Sequence, residues 1–258
     1  MNLHFATSRD GERIAFETEG HGPPIILLHG GGQNRRVWSQ VGWNRQLAEH
    51  FKLIAIDIRG HGESSKPSNP AAYVTDRLCE DILSVADAAG VVRFSLWGYS
   101  YGGNIARYLA AQSQRVERFA LIGVSFGPSA DDSFRTTIQQ MQQRWKPILD
   151  ADLAGKLDVS EIPEPDRSAW VSGRVRVTLA WLSALLEWPS IEPTDMQCPT
   201  LWLVGTGNAS AMRGVQQYRR DLDQTRVRLR LVEGITHPEE LEKIEVMLPP
   251  LLEFMNAY

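Results

Sequence analysis

The residues Phe94-Ser95-Leu96-Trp97-Gly98-Tyr99-Ser100-Tyr101-Gly102-Gly103 decide how this chain folds. An apolar, strand-like run enters a five-residue turn with glycine on both sides of a serine, and helical periodicity resumes over 104–111. A turn this tight is strained, and bulky residues at its flanks would clash. It holds the serine hydroxyl out above the sheet, at the amino end of the helix that follows. Gly-x-Ser-x-Gly alone recurs often by chance. The strand before it and the helix after it make Ser100 a candidate nucleophile.

The same strand pattern appears on both sides of this stretch. Pro24-Ile25-Ile26-Leu27-Leu28, Lys52-Leu53-Ile54-Ala55-Ile56-Asp57, Phe119-Ala120-Leu121-Ile122-Gly123-Val124 and Thr200-Leu201-Trp202-Leu203-Val204 are apolar runs without alternation. Such runs suit strands covered on both faces, as in a parallel sheet. The first twenty residues read as a hairpin turned at Asp10-Gly11. Between the strands lie helical stripes. Over 73–89, Val74, Leu78, Ile82, Val85 and Ala89 share one face, and Gly90 ends the helix. Further helices are expected over 104–111, 215–222 and 239–254, the last kinked or interrupted at Pro249-Pro250. Strands alternating with helices imply an α/β fold, a mostly parallel, doubly wound sheet with helices on both faces. The rhythm breaks over 126–197, where helical segments rich in Gln, Trp and Leu flank Ile162-Pro163-Glu164-Pro165 and no strand-like run occurs. The chain therefore divides into a core, 1–125 and 198–258, and a helical insertion, 126–197.

Three further stretches carry candidate chemistry. His29-Gly30-Gly31-Gly32 ends a strand with glycines that let backbone N–H groups come close to a developing oxyanion. It lacks the Gly-Lys-Ser/Thr ending of a P-loop and the spacing of a dinucleotide site. Asp57-Ile58-Arg59-Gly60-His61-Gly62-Glu63-Ser64 reads as a loop whose polar side chains tie down its own backbone. Val232-Glu233-Gly234-Ile235-Thr236-His237-Pro238 puts His237 after the last strand and before the closing helix, where it could serve as a general base. The six histidines show no paired ligand spacing, so no metal site and no cofactor are expected.

Composition narrows the class. A length of 258 residues suffices for one α/β domain with a sizeable core, and 43% hydrophobic with 22% charged residues is ordinary for a globular protein. A net charge of −4 without any Lys/Arg-rich run argues against nucleic acid or an anionic membrane as partner. No run is apolar enough to span a membrane and no leader is visible at Met1-Asn2-Leu3-His4-Phe5, while Cys79 and Cys198 lack paired spacing. A cytoplasmic, reducing location is the expectation.

Taken in order and spacing, His29-Gly30-Gly31-Gly32, Asp57-Ile58-Arg59-Gly60-His61-Gly62-Glu63-Ser64, Gly98-Tyr99-Ser100-Tyr101-Gly102-Gly103 and His237 resemble the α/β-hydrolase superfamily over essentially the whole chain. The resemblance implies Ser100 as nucleophile, His237 as its base, and the backbone N–H groups of Gly31 and Tyr101 as the oxyanion hole. It also implies that 126–197 is a helical cap over the active site, where the family sets substrate choice. Dehalogenases and epoxide hydrolases of this family use Asp as nucleophile, so Ser100 points to an ester, lactone or related acyl bond. Carbon–carbon bond hydrolysis and perhydrolysis are the same-fold alternatives. The cap's Trp145, Trp170, Trp181 and Trp188 fit a mainly apolar small-molecule substrate, or merely the packing of the cap.

One departure stands out. The family's triad acid usually follows the penultimate strand, and that loop reads Thr206-Gly207-Asn208-Ala209-Ser210. Asn208 therefore occupies the expected acid position. In a serine protease, Asp→Asn at the corresponding place lowers the rate about 10⁴-fold, roughly 5.5 kcal/mol. Asn208 could still accept from the imidazole N–H and orient the ring without charge. Otherwise Asp131 or Asp132 supplies the acid, Asn208 is a substitution introduced to trap a substrate, or the chain is a weak or silent, ligand-binding relative.

Overall fold

The computed structural model describes residues 2–256. The hairpin forms as the Asp10-Gly11 turn requires, with β1 (Asn2–Thr7) antiparallel to β2 (Arg13–Glu19). The chain continues through β3 (Pro24–Leu28), α1 (Val37–Val41), α2 (Trp43–Leu47), β4 (Lys52–Ile56), α3 (Thr75–Ala88), β5 (Phe94–Tyr99), α4 (Tyr101–Gln112) and β6 (Val116–Ile122). Then come α5 (Asp132–Leu153), α6 (Asp166–Val171), α7 (Arg174–Leu186), β7 (Thr200–Gly205), α8 (Ala209–Tyr218), β8 (Val227–Val232), α9 (Glu239–Glu242) and α10 (Ile244–Asn256).

The eight strands form one sheet in the order β1-β2-β4-β3-β5-β6-β7-β8, parallel from β4 through β8. The unalternating apolar runs are explained by cover on both faces. Ile25, Leu27, Leu53, Ala55, Trp97 and Leu203 face a core built with Trp38, Trp43, Met247, Leu251 and Phe254 from α1, α2 and α10. On the opposite face Leu28 and Ile56 meet Leu78 and Ile82 of α3 and Ile105 of α4. Strand order reverses at β3: β4 lies to one side and β5 to the other, with Leu28 beside Gly98. Loops leaving β3 and β5 therefore separate around a crevice at the carboxyl ends of adjacent strands, the usual ligand position in open α/β sheets.

The chain divides into two compact units. The larger comprises Met1–Ser65, Thr75–Gly127 and Ser190–Tyr258, the smaller Lys66–Val74 and Pro128–Pro189. The smaller unit thus starts and stops inside the expected 126–197 and gains a segment from the core side. The reason is local: Trp188 Nε1–H donates to Tyr73 O at 2.9 Å, and a short 3₁₀ helix, Pro70–Tyr73, packs on α7. Trp145 and Trp170 stack at 6.1 Å in this unit's own apolar cluster with Ile162, Val175 and Leu179. Among these aromatics the packing role prevails.

Helix boundaries differ from expectation most in the last third of the chain. The closing helix breaks at Lys243, and Pro249 and Pro250 lie inside α10. The carbonyls that lose their partners there belong to Glu245 and Val246, both exposed, so water can satisfy them while Met247 and Leu251 hold the inner face. The helix expected over 215–222 starts earlier, at Ala209, because Asn208 caps it.

Candidate functional site

β5 ends in the turn that defines the site. Ser100 is the one non-glycine residue with positive φ among the described residues, at φ 53°, ψ −119°. The strain is fixed from both sides, by Ser100 N–H to Ile122 O at 2.9 Å and Gly102 N–H to His29 O at 3.0 Å. A Cβ on Gly102 would overlap Leu28 O, so only glycine lets α4 start against β3. Tyr101 opens α4, where a helix's first N–H groups point away from its own ladder.

The loop after β3 is held as firmly. His29 is fully buried; its Nδ1–H donates to Gly30 O at 2.8 Å and its Nε2 accepts from Ile58 N–H at 3.1 Å. Burial, with the nearby His61 ring adding to it, pushes the His29 imidazole down to about 3, so it is neutral and serves as a latch between the β3 and β4 loops. Gly30 N–H is taken by Gln33 Oε1 at 2.9 Å, and Gly31 is exposed. Within 57–64 some polar groups bind their own loop, as expected, while the buried Arg59 guanidinium instead pairs with Asp81 of α3 and Asp10 of the hairpin turn. Ser64 Oγ–H donates to Asp57 O, and Asp57 Oδ2 accepts from Glu63 N–H and Arg35.

His237 reaches Ser100 from the segment between β8 and α9, with Nε2 3.1 Å from Ser100 Oγ. Its ring stacks on Tyr99 at 5.1 Å, and Tyr99 Oη–H donates to His237 O at 2.9 Å. Gly123, at φ +82°, leaves the room: a Cβ there would stand 2.8 Å from His237 Cε1.

Behind the imidazole stands a residue the sequence reading overlooked. Glu240 Oε2 is 3.0 Å from His237 Nδ1, and the Glu240 side chain is fully buried while that of His237 is 40% exposed. Glu240 Oε1 accepts from Gly205 N–H at 2.8 Å, and Oε2 also accepts from Asn208 Nδ2–H at 2.9 Å. The structure therefore brings Asn208 to the expected position but gives it a different task. Its Oδ1 is committed to Ala211 N–H at 3.1 Å as the cap of α8, so the amide nitrogen faces His237 Nδ1 at 3.3 Å. An N–H donor cannot accept from the imidazole N–H, so the carboxylate of Glu240 is the partner of Nδ1. Asp131 is the cap of α5, its Oδ1 accepting from Phe134 N–H at 2.8 Å, and Asp132 is the first residue of that helix. The signal for Glu240 was available: a carboxylate three residues after His237 falls on the same face of one helical turn.

Hydroxyl, imidazole and buried carboxylate in one hydrogen-bonded line can move a proton off the hydroxyl and hold the resulting imidazolium. Among the described residues no cluster of three or more His, Cys, Asp or Glu could hold a metal. No helix there is long and apolar enough to cross a membrane. Cys79 and Cys198 are buried free thiols.

The family model of the alpha/beta hydrolase fold matches residues 23–228, and the chain belongs to that family. An uncharacterised protein of Mycobacterium tuberculosis is 40% identical over 124 residues, 46% of this chain and 34% of that protein. A soluble epoxide hydrolase of Corynebacterium sp. is 31% identical over 140 residues, 54% of this chain and 48% of that one. Each match thus takes in less than half of the relative's own length. The esterase of Exiguobacterium antarcticum shares the fold, with a TM-score of 0.74 at 22% identity over 98% of this chain and 99% of its own.

Proposed function

We propose that this protein is a serine hydrolase that cleaves a carboxylic ester, lactone or related acyl bond of a small, mainly apolar molecule. The observation that carries the reading is the line Ser100 Oγ, His237 Nε2, His237 Nδ1, Glu240 Oε2, with steps of 3.1 and 3.0 Å across the ring. Ser100 Oγ attacks the carbonyl carbon while His237 Nε2 takes its proton. The oxyanion is held by the N–H groups of Gly31 and Tyr101, at the crevice where the strand order reverses. His237 returns the proton to the departing alkoxide as the C–O bond breaks. Water, deprotonated by His237, then releases the acid from the acyl-enzyme and restores Ser100.

The fold shared with an esterase supports this reading. The epoxide hydrolase relative matches over part of the chain, but an Asp nucleophile would be needed at position 100, which holds Ser. Asn208 was the ground for a silent relative, and the carboxylate of Glu240 at His237 Nδ1 speaks for the catalytic reading instead. The test is p-nitrophenyl acetate hydrolysis by the parent and Ser100→Ala, with mass spectrometry of the acylated protein. A loss of at least ~10³-fold and acylation confined to Ser100 are expected. Equal rates in the two proteins would overturn the mechanism.

A further inference from the structure

Asn208 and Glu240 touch each other, and both stand close to His237 Nδ1, at 3.3 and 3.0 Å. Each keeps one oxygen on a backbone N–H: Asn208 Oδ1 on Ala211 and Glu240 Oε1 on Gly205. The remaining atoms, Asn208 Nδ2 and Glu240 Oε2, face each other at 2.9 Å, with Asn208 Nδ2 also directed to Gly123 O at 3.3 Å. The amide's orientation is set from both ends, since its oxygen caps α8 and its nitrogen meets two acceptors.

We propose that Asn208 and Glu240 form a reciprocal pair, in which the amide at 208 is a positioning residue that donates to Glu240 Oε2 and aims that oxygen at His237. This rests on the hydrolytic reading above, and it makes position 208 a donor site rather than a vacated acid site.

Interchanging the two functional groups tests the geometry directly. In the double variant Asn208→Asp with Glu240→Gln, one oxygen of the new carboxylate at position 208 still caps Ala211. The oxygen of the new amide at position 240 still accepts from Gly205. The central hydrogen bond then runs in the opposite direction, from the amide N–H at position 240 to the second carboxylate oxygen at position 208. His237 Nδ1–H meets that carboxylate oxygen where the amide nitrogen now lies, 3.3 Å away. The single variants break the pairing. Glu240→Gln sets N–H against N–H and leaves no charge, whereas Asn208→Asp sets two carboxylates in contact, which then share one proton.

Three readouts are made on the full chain: kcat and KM for p-nitrophenyl acetate, the rate of Ser100 labelling by a fluorophosphonate, and the far-downfield proton signal of His237 Nδ1–H. Glu240→Gln is expected to lower kcat by ~10³–10⁴-fold with KM little changed, and to lose the downfield signal. The double variant is expected to recover at least ~10²-fold in kcat and in labelling rate over Glu240→Gln, with the downfield signal restored. Asn208→Asp alone is expected to show no gain over the parent. The proposal is overturned if the double variant is no better than Glu240→Gln and lacks the signal. It is equally overturned if Asn208→Asp alone gains a hundredfold. The downfield signal needs no turnover, so it judges the pair even if the ester reading fails, and that failure is read separately from Ser100→Ala.

Discussion

Replacing Glu240 by Gln removes one charge and almost no volume, so its effect can be worked from the geometry. In the proposed mechanism an imidazolium forms 3.0 Å from the carboxylate, an attraction of about 5.5 kcal/mol at an effective dielectric constant of about 20. That corresponds to about 10⁴ in rate. Solvent reaches the imidazole, whose side chain is 40% exposed, and screens part of this, so the expected loss in kcat is ~10³–10⁴-fold. Hydrogen bonding acts in the same direction. With the oxygen of the substituted amide kept on Gly205 N–H, its nitrogen faces both Asn208 Nδ2 and His237 Nδ1. The imidazole is then driven to the tautomer with the proton on Nε2, which cannot accept from Ser100. Because Glu240 is fully buried it meets no substrate, and KM is expected to stay near the parent value. The assay is steady-state hydrolysis of a short activated ester, with thermal melting to verify the fold. A folded Glu240→Gln protein within tenfold of parent kcat would refute the role given to this carboxylate.

Two other expectations concern the scaffold. His29 is held near 3, well below the ordinary histidine value, so between about 6.5 and 3 the unfolded chain binds a proton that the native protein does not. Stability should therefore fall as pH drops through that window, and His29→Gln should flatten the fall in a series of melts; an unchanged slope would contradict the latch. Gly102→Ala drives a methyl into Leu28 O and is expected to cost about 3 kcal/mol or more, read by chemical denaturation. A loss under ~1 kcal/mol would show that the turn can open without strain.

Much of the architecture was legible because its signals are local. Strands buried on both faces write unbroken apolar runs, and the Gly98-Tyr99-Ser100-Tyr101-Gly102 turn declares itself because few sequences tolerate such a strand-to-helix corner. His237 was legible from chain order. Glu240 was not, because it sits among Glu239, Glu242 and Glu245, and acidic residues at the start of a helix ordinarily read as solvated charge. Only the tertiary fold turns Glu240 inward and leaves Glu242 and Glu245 exposed. Asn208 misled for a related reason. A position can be identified from sequence, but whether its side chain presents a donor or an acceptor depends on what α8 does with the other end of the amide. Tyr73 and Val74 read as part of the following helix because periodicity over 73–89 runs smoothly across a break at Val74, which is extended.

The placement of His237 and Glu240 within four consecutive residues has a mechanical consequence. Where base and acid stand on separate loops, any relative drift of the loops misaligns them. Here a single turn of backbone, tied by Glu240 N–H to Thr236 O at 3.0 Å, carries both groups as one cassette. Movement of this segment as a unit would part His237 from Ser100, and Glu240 from Gly205 and Asn208, before it parted His237 from Glu240. The contact between Ser100 and His237 is then among those such a movement would break, while the His237–Glu240 pair would travel intact.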